Sequence, residues 1–516
     1  MPTPRRAASL LVTTLALALL ACQAPQPLAR AQEDDAPAET AAQAASEVAV
    51  TNHSVNIGGR NIDYTARAGY MPMKADDGEV RANIFHISYT LDAVTDPSQR
   101  PVMFVFNGGP GSSSVWLHLG TAGPKRVDMG VDGFMPRPPG SLVDNEHSWF
   151  DVTDLVFIDP VGTGYSRPAG EAEQKEFSGL TEDTRSVGDF IRVWLTEHKR
   201  WASPKFLAGE SYGTTRAASL SGYLQSRHGV YLNGIALIST VLNFQGSRFN
   251  TGNDLPYVLF LPTYTATAWF HGALAEDLQS RPLRDVLDEV EQWTLETFMV
   301  ALAKDASMQS AEREAVARAL SRYTGLEPDF VTQNNLRVSI GEFCKELRRT
   351  DRVTVGRLDS RFTGVDSDAA GDSFEHDPSM DAIRGPYTAM FNDYVRRELG
   401  YENEIVYEIL SGRVGRWSYA DWENEYVNVA DTLREAVSVN PFLKVMVASG
   451  YYDLATPFFA ADYTFDTMGL EPHLQDNISV RYYEAGHMMY IHEPSLAALK
   501  EQVKAFVSDA LAPEPE

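Results

Sequence analysis

The sequence predicts an α/β fold with a mostly parallel central sheet, interrupted by a helical insertion. Three observations predict it. Apolar runs that stop at glycines alternate with segments of helical period as far as residue 240; long helical stretches replace that alternation over 241–431; from 432 the strand-like runs return and a helix closes the chain. The length of 516 residues suggests about three domains on size alone, but one sheet with an insertion reaches that length as well.

Residues 1–21 carry Arg5 and Arg6 followed by an uncharged run from Ala7 to Ala21, the layout of a secretory signal peptide and too short for a comfortable membrane span. The run ends Leu19-Leu20-Ala21-Cys22, which resembles the lipobox of bacterial lipoproteins. The expectation is lipidation at Cys22 and a place in the bacterial cell envelope facing the periplasm, with ordinary secretion as the alternative; Gln23 suits outer-membrane sorting in a Gram-negative cell. Residues 22–47 are rich in Ala, Pro, Gln and Glu and read as a flexible tether.

The first part of the core is expected over 48–240. Alternating segments such as "RANIFHISYTL" suit antiparallel strands. The continuous apolar runs in "PVMFVFNGGPG" (from Pro101) and "DLVFIDPVGTGYS" (from Asp154) suit strands buried on both faces. A helix follows, with Val187, Phe190, Ile191, Trp194 and Leu195 at helical spacing. Then come the short strand "KFLAG", a helix from about Thr214 to Gly229, and a further strand in "LNGIALIST". The cap is expected over 241–431, where Leu283, Val286, Leu287 and Val290 form one apolar helical face. The second part of the core, 432–516, adds strands in "FLKVMVASG" and "ISVRYYEAG" and a terminal helix from Glu493.

The formal net charge is −26, and removing the leader takes away two arginines and no acid, leaving −28. Such a surface argues against nucleic acid or anionic lipid as a partner. Only Cys22 and Cys344 are available, so lipidation of the first excludes an internal disulfide; Cys344 is expected to be a buried apolar filler. No cluster of His and Cys offers a zinc site, and no cofactor is implied. The stretch "DSDAAGDSFEHD" from Asp366 to Asp377 has the acids of a calcium loop but Ala370 where an oxygen ligand is wanted, so a solvated acidic loop is expected. The Gly-x-Gly of "DPVGTGYS" lacks the rest of a phosphate-binding motif and is read as structural.

One motif carries chemistry. Gly209-Glu210-Ser211-Tyr212-Gly213 has the Gly-x-Ser-x-Gly pattern, which chance alone gives a chain of this size with a probability of roughly 15%. Its setting is more specific: an apolar strand enters and a helix leaves, the strand-turn-helix of a nucleophile elbow in an α/β-hydrolase fold. A serine near its free pKa is a poor nucleophile and needs a histidine base, which needs an acidic orienter. In that fold the chain order is Ser, acid, His, and Asp453 and His487 each follow a late strand. His492 competes for the base role, but lies in the run-up to the last helix.

With "NGGPGSSS", "DPVGTGYS", "GESYG", "SGYYD" and "AGHMM" in this order, the chain from about Val48 to Leu511 resembles the serine carboxypeptidases related to carboxypeptidase Y. The resemblance implies an α/β-hydrolase with a helical cap and a catalytic triad of Ser211, Asp453 and His487. It implies an oxyanion hole from the N–H groups of Gly109 and Tyr212. Asn107, Gly108 and Glu210 would hold the C-terminal carboxylate of a peptide substrate. Glu210 donates to a carboxylate only when protonated, so peptide cleavage should be favoured at acidic pH and weaken as pH rises. The chain departs from the family at Ser112, where a disulfide cysteine usually stands, and at Thr121, where a glutamate often supports the carboxylate site. The runner-up activity is a serine esterase or acyltransferase on the same triad, and a different class is a non-catalytic envelope binding lipoprotein. Membrane contact is expected only through the lipid anchor, and the sequence leaves room for a homodimer.

Overall fold

A computed structural model describes residues 48–513. The leader, Cys22 and the tether lie outside the described residues. The main sheet has nine strands in series: β1 (Ala49–Ile57), β2 (Arg60–Lys74), β3 (Val80–Leu91), β4 (Val102–Phe106), β5 (Asp154–Ile158), β6 (Lys205–Glu210), β7 (Gly234–Ile238), β8 (Lys444–Gly450) and β9 (Ile478–Tyr483). Their spatial order is β1-β2-β3-β5-β4-β6-β7-β8-β9, and a two-residue strand at Arg167–Pro168 pairs with β3 to make ten. Pairing is antiparallel from β1 through β5 and parallel from β5 to β9.

The apolar runs behave as their composition requires. Every residue of β4, β5 and β7 is buried, because helices cover both faces of the parallel part. Helices α1 (Leu180–Glu197) and α2 (Tyr212–His228) follow β5 and β6. The insertion contributes α3 (Leu255–Phe270), α4 (Leu283–Trp293), α5 (Ser310–Thr324) and α6 (Pro378–Arg397); α7 (Ala430–Val439) precedes β8 and α8 (Glu493–Asp509) follows β9.

Neighbouring strand residues point to opposite faces, so the sheet separates two cores. Val156, Leu207 and Leu237 pack with Val187, Phe190, Leu220 and Leu433 of α1, α2 and α7. Phe157, Ala208 and Ile238 pack with Tyr387 and Phe391 of α6 and Leu496 and Val503 of α8. A third core belongs to α3, α4 and α5, where Leu283, Val286, Leu287 and Val290 are all buried as their spacing predicts. That cluster also takes in Tyr452, Leu454 and Phe458, the segment that follows β8. The helix α6, although it lies in the insertion by sequence, packs on the sheet rather than on α3 to α5. Helical period identifies an apolar face without naming what covers it.

Strand β4 lies between β5 on one side and β6 on the other, so the connections leaving β4 and β6 part in opposite directions. Such a switch point opens a crevice at the carboxyl ends of the strands, where open α/β sheets bind ligands. The loops Asn107–Gly111 and Glu210–Gly213 meet there.

Candidate active site

The elbow is built by backbone contact. After β6 the chain turns at Ser211 with φ 60° and ψ −130°, a conformation rare for a residue with a side chain. Ser211 N–H donates to Ile238 O at 2.9 Å, and Ser211 O accepts from the N–H (2.8 Å) and hydroxyl (2.7 Å) of Thr214. The strain is thus fixed from both sides. Helix α2 begins at Tyr212, two residues before the position its sequence suggests, because an elbow enters its helix with no side-chain cap to mark the start. The glycines leave room for the turn. A Cβ on Gly209 would lie 2.2 Å from Gly213 O, and one on Gly108 would lie 2.4 Å from Tyr212 N, so the loop after β4 rests directly on the elbow.

Asp453 is completely buried after β8, and His487 follows β9. His487 Nδ1 and Asp453 Oδ2 are 2.7 Å apart. The carboxyl also accepts from the N–H groups of Ala455 (2.8 Å) and Thr456 (3.0 Å) and from the Thr456 hydroxyl (2.7 Å), which makes four partners with the imidazole included. Burial opposes a charged imidazolium at His487, but the charge and hydrogen bond of Asp453 outweigh it and hold the histidine pKa above its ordinary value. The backbone is pinned too. His487 N–H donates to Leu358 O at 2.7 Å, and the Ser239 hydroxyl donates to His487 O at 2.6 Å. With Nδ1 committed to Asp453, Nε2 is the ring nitrogen left to the cleft.

Ser211 and His487 line one cleft of about 380 Å³, together with Asn107, Gly108, Gly109, Glu210 and Tyr212. Among the described residues the Ser211 hydroxyl makes no hydrogen bond; it meets His487 as a wall of the same cleft. Tyr212 is the first residue of α2, so its N–H has no acceptor a turn earlier. Gly109, at φ +103°, takes a backbone conformation closed to other residues and brings its amide to the same loop.

Asn107 and Glu210 form the polar end of this cleft. Asn107 Oδ1 accepts from Leu117 N–H at 3.1 Å, which orients the amide, and the buried Nδ2 then has no hydrogen-bond partner. Glu210 is buried, and burial pushes its carboxyl up to about 7 against the opposing pull of the His487 charge. Its Oε2 accepts from the Tyr490 hydroxyl at 2.5 Å. A buried unsatisfied donor beside a carboxyl that keeps its proton near neutrality is an environment made for an anion.

A model of the family described as serine carboxypeptidase matches residues 58–490. The chain belongs to the serine carboxypeptidase family. Among curated proteins it is 29% identical over 153 residues to "Serine carboxypeptidase-like 5" of Arabidopsis thaliana, covering 28% of this chain and 33% of that one. It is 27% identical over 215 residues to "Serine carboxypeptidase-like 45" of the same plant, covering 39% and 42%. The chain therefore spans about a third to two fifths of the length of these relatives. Among solved structures, Kex1(Δ)p, a prohormone-processing carboxypeptidase from Saccharomyces cerevisiae, superposes with a TM-score of 0.54 at 17% identity over 86% of this chain and 92% of that one, a likeness of fold.

Both departures of this carboxypeptidase-family chain have a structural counterpart. Where the family places a disulfide cysteine, the Ser112 hydroxyl accepts from the Trp116 indole at 2.8 Å. Backbone bonds from Ser113 N to Ile409 O (3.0 Å) and from Ser411 N to Gly111 O (2.8 Å) tie the loop across the same region. Thr121 is buried with its hydroxyl unpaired, and it gives Glu210 no support. The residue that bonds Glu210 is Tyr490, distant in sequence and unmarked by any motif; Thr456 is equally unmarked, although a hydroxyl three residues after an aspartate commonly donates to its carboxylate. His492 bonds Ser495 at 2.8 Å at the start of α8 and does not line the cleft. In the acidic stretch, Asp366 pairs with Lys345 and Asp377 caps α6. Cys344 is fully buried, which pushes its thiol pKa up.

Substituting Gly209→Ala should force the elbow and the first turn of α2 apart. The expected outcome is a melting temperature lower by about 5 °C or more, measured by calorimetry; an unchanged melting curve would show that the elbow is not this tightly closed.

Proposed function

We propose that this chain is a serine-type carboxypeptidase that releases C-terminal residues from peptides through an acyl-enzyme. Ser211 attacks the scissile carbonyl, His487 takes the hydroxyl proton and returns it to the leaving amine, and Asp453 orients the imidazole. The N–H groups of Gly109 and Tyr212 receive the oxyanion. Water then resolves the acyl-enzyme with His487 as base. The helical segment within 241–431 serves as the cap.

The single observation that carries the exopeptidase reading is the Asn107–Glu210 end of the cleft. An internal stretch of peptide brings no anion there, whereas a terminal carboxylate accepts from Asn107 Nδ2, from Gly108 N–H and from a protonated Glu210. The proton also links this end to the chemistry. Glu210 and His487 favour each other's ionised forms, so one proton shared by the two can rest on either. A bound carboxylate favours protonated Glu210, the form that can donate to it.

Upstream of the described residues, the lipobox-like Leu19-Leu20-Ala21-Cys22 supports export and tethering through an acylated Cys22. No helix among the described residues is long and apolar enough to cross a membrane.

The functional test is mass-spectrometric identification of products from N-blocked dipeptides, their C-terminal amides and a neutral ester. Release of the free C-terminal residue is expected, and Asn107→Ala should reduce kcat/KM for the acid peptide at least about tenfold more than for the ester. Equal loss on both, with the ester the better substrate in the wild type, would favour an esterase. The KM for the acid peptide should rise as pH passes about 7, because ionised Glu210 repels the carboxylate. In Tyr490→Phe, Glu210 loses a hydrogen bond that favours its ionised form, so its pKa rises and the KM increase should move to higher pH; a shift the other way contradicts the assignment. Labelling cells with a palmitate analogue should mark the wild-type protein and not Cys22→Ser.

A further inference from the structure

The cleft differs in charge from the molecule that holds it. The chain carries a formal charge of −26. Among the described residues that line the cleft, the only carboxyl is Glu210, which keeps its proton near neutrality, while Arg248 and Arg357 contribute two guanidinium groups. Other arginines of the insertion that are held close to the fold are matched with acids, as Arg337 is with Asp254 and Arg361 with Asp359, each at 2.7 Å. Neither Arg248 nor Arg357 forms an ion pair among the described residues.

Both are held in place at the backbone. Arg248 O accepts from Asn253 Nδ2 at 2.8 Å, and the Arg248 guanidinium lies 5.4 Å from the centroid of Phe244, which in turn packs edge-on against Tyr419 at 5.6 Å. Arg357 N–H donates to Asp377 Oδ1 at 3.0 Å, and Arg357 O accepts from Leu454 N–H at 3.0 Å. Arg357 is the residue before Leu358, whose carbonyl receives His487 N–H, so its side chain starts one residue from the anchor of the imidazole.

The cleft crosses the rim of the sheet. Trp116, Ile383 and Tyr490, around the Asn107–Glu210 end, belong to the core on one face; Tyr212 and Phe244, which carries Arg248, belong to the core on the other. Arg248, carried by the second face, and Arg357, one residue from the backbone anchor of His487, line the same opening as Ser211. A guanidinium recognises a carboxylate by paired, charge-assisted hydrogen bonds. An acidic peptide approaching so negative a protein is repelled at long range unless local cations redirect it.

Resting on the carboxypeptidase reading, we propose that Arg248 and Arg357 form a specificity subsite for an acidic side chain on one of the two residues flanking the scissile bond. The preferred substrates are then peptides with Asp or Glu at the last or the penultimate position.

The test uses N-blocked dipeptides in Glu/Gln pairs at each of the two positions, which change charge at nearly constant shape. In the wild type, Glu should be preferred over Gln in kcat/KM by about tenfold at one position or both, and the ratio should shrink as salt is raised. The double variant Arg248→Gln/Arg357→Gln should bring the ratio close to one, and the single variants assign each arginine to its position. Arg248 is exposed, so its replacement carries little folding risk, and the salt series needs no variant at all. A wild type that cleaves these peptides with a Glu/Gln ratio near one overturns the proposal and leaves the carboxypeptidase reading standing. Variants that lower Glu and Gln substrates equally overturn it as well, because the arginines would then act on the terminal carboxylate. A wild type that releases no C-terminal residue from any of the peptides overturns the carboxypeptidase reading and this one with it.

Discussion

A serine held at φ 60° and ψ −130° is the constraint around which the rest of the molecule is arranged. Such a backbone costs on the order of 1–3 kcal/mol and persists only where its surroundings over-determine it. Here the surroundings are two buried strands and a helix. The Ser211 N–H continues the ladder between β6 and β7, its carbonyl is taken by Thr214, and the loop after β4 lies against the first amides of α2. The turn therefore cannot relax without breaking the centre of the sheet, and the hydroxyl stays presented to the cleft.

Electrostatics then divides the cleft into roles. The Asp453 carboxyl accepts from three protein donors besides His487, and its charge and hydrogen bond hold the His487 pKa above what burial alone would allow. Glu210 has fewer partners, and burial drives its proton affinity up instead. Two buried carboxyls of one site thus sit in different surroundings, and under the proposed mechanism one orients a base and the other donates to an anion.

Much of this was legible in the chain. Buried runs such as "VMFVF" and "DLVFI" read as strands because they are short, rich in Val and Phe, and bounded by Gly and Pro turns, whereas the buried helix α3 runs for sixteen residues. Ser211, Asp453 and His487 stood out because each follows a strand in an order that the elbow fixes. What was hidden depends on contacts between distant segments. Tyr490 reaches Glu210 across the fold, and nothing near either residue announces it. The packing of α6 on the sheet was equally hidden, since its apolar face could serve a cap helix as well. The arginines of the cleft have no motif at all; only the fold brings Arg248 and Arg357 to the same opening.

The central claim is that Ser211 is a nucleophile made reactive by the buried His487–Asp453 pair. The most direct measurement is the rate of labelling by a fluorophosphonate, with the adduct mapped by peptide mass spectrometry. The account predicts a single adduct on Ser211 in the wild type and a rate slower by a factor of about a hundred or more in His487→Ala. An adduct on any other residue, or equal labelling of Ser211 with and without the imidazole, would contradict it.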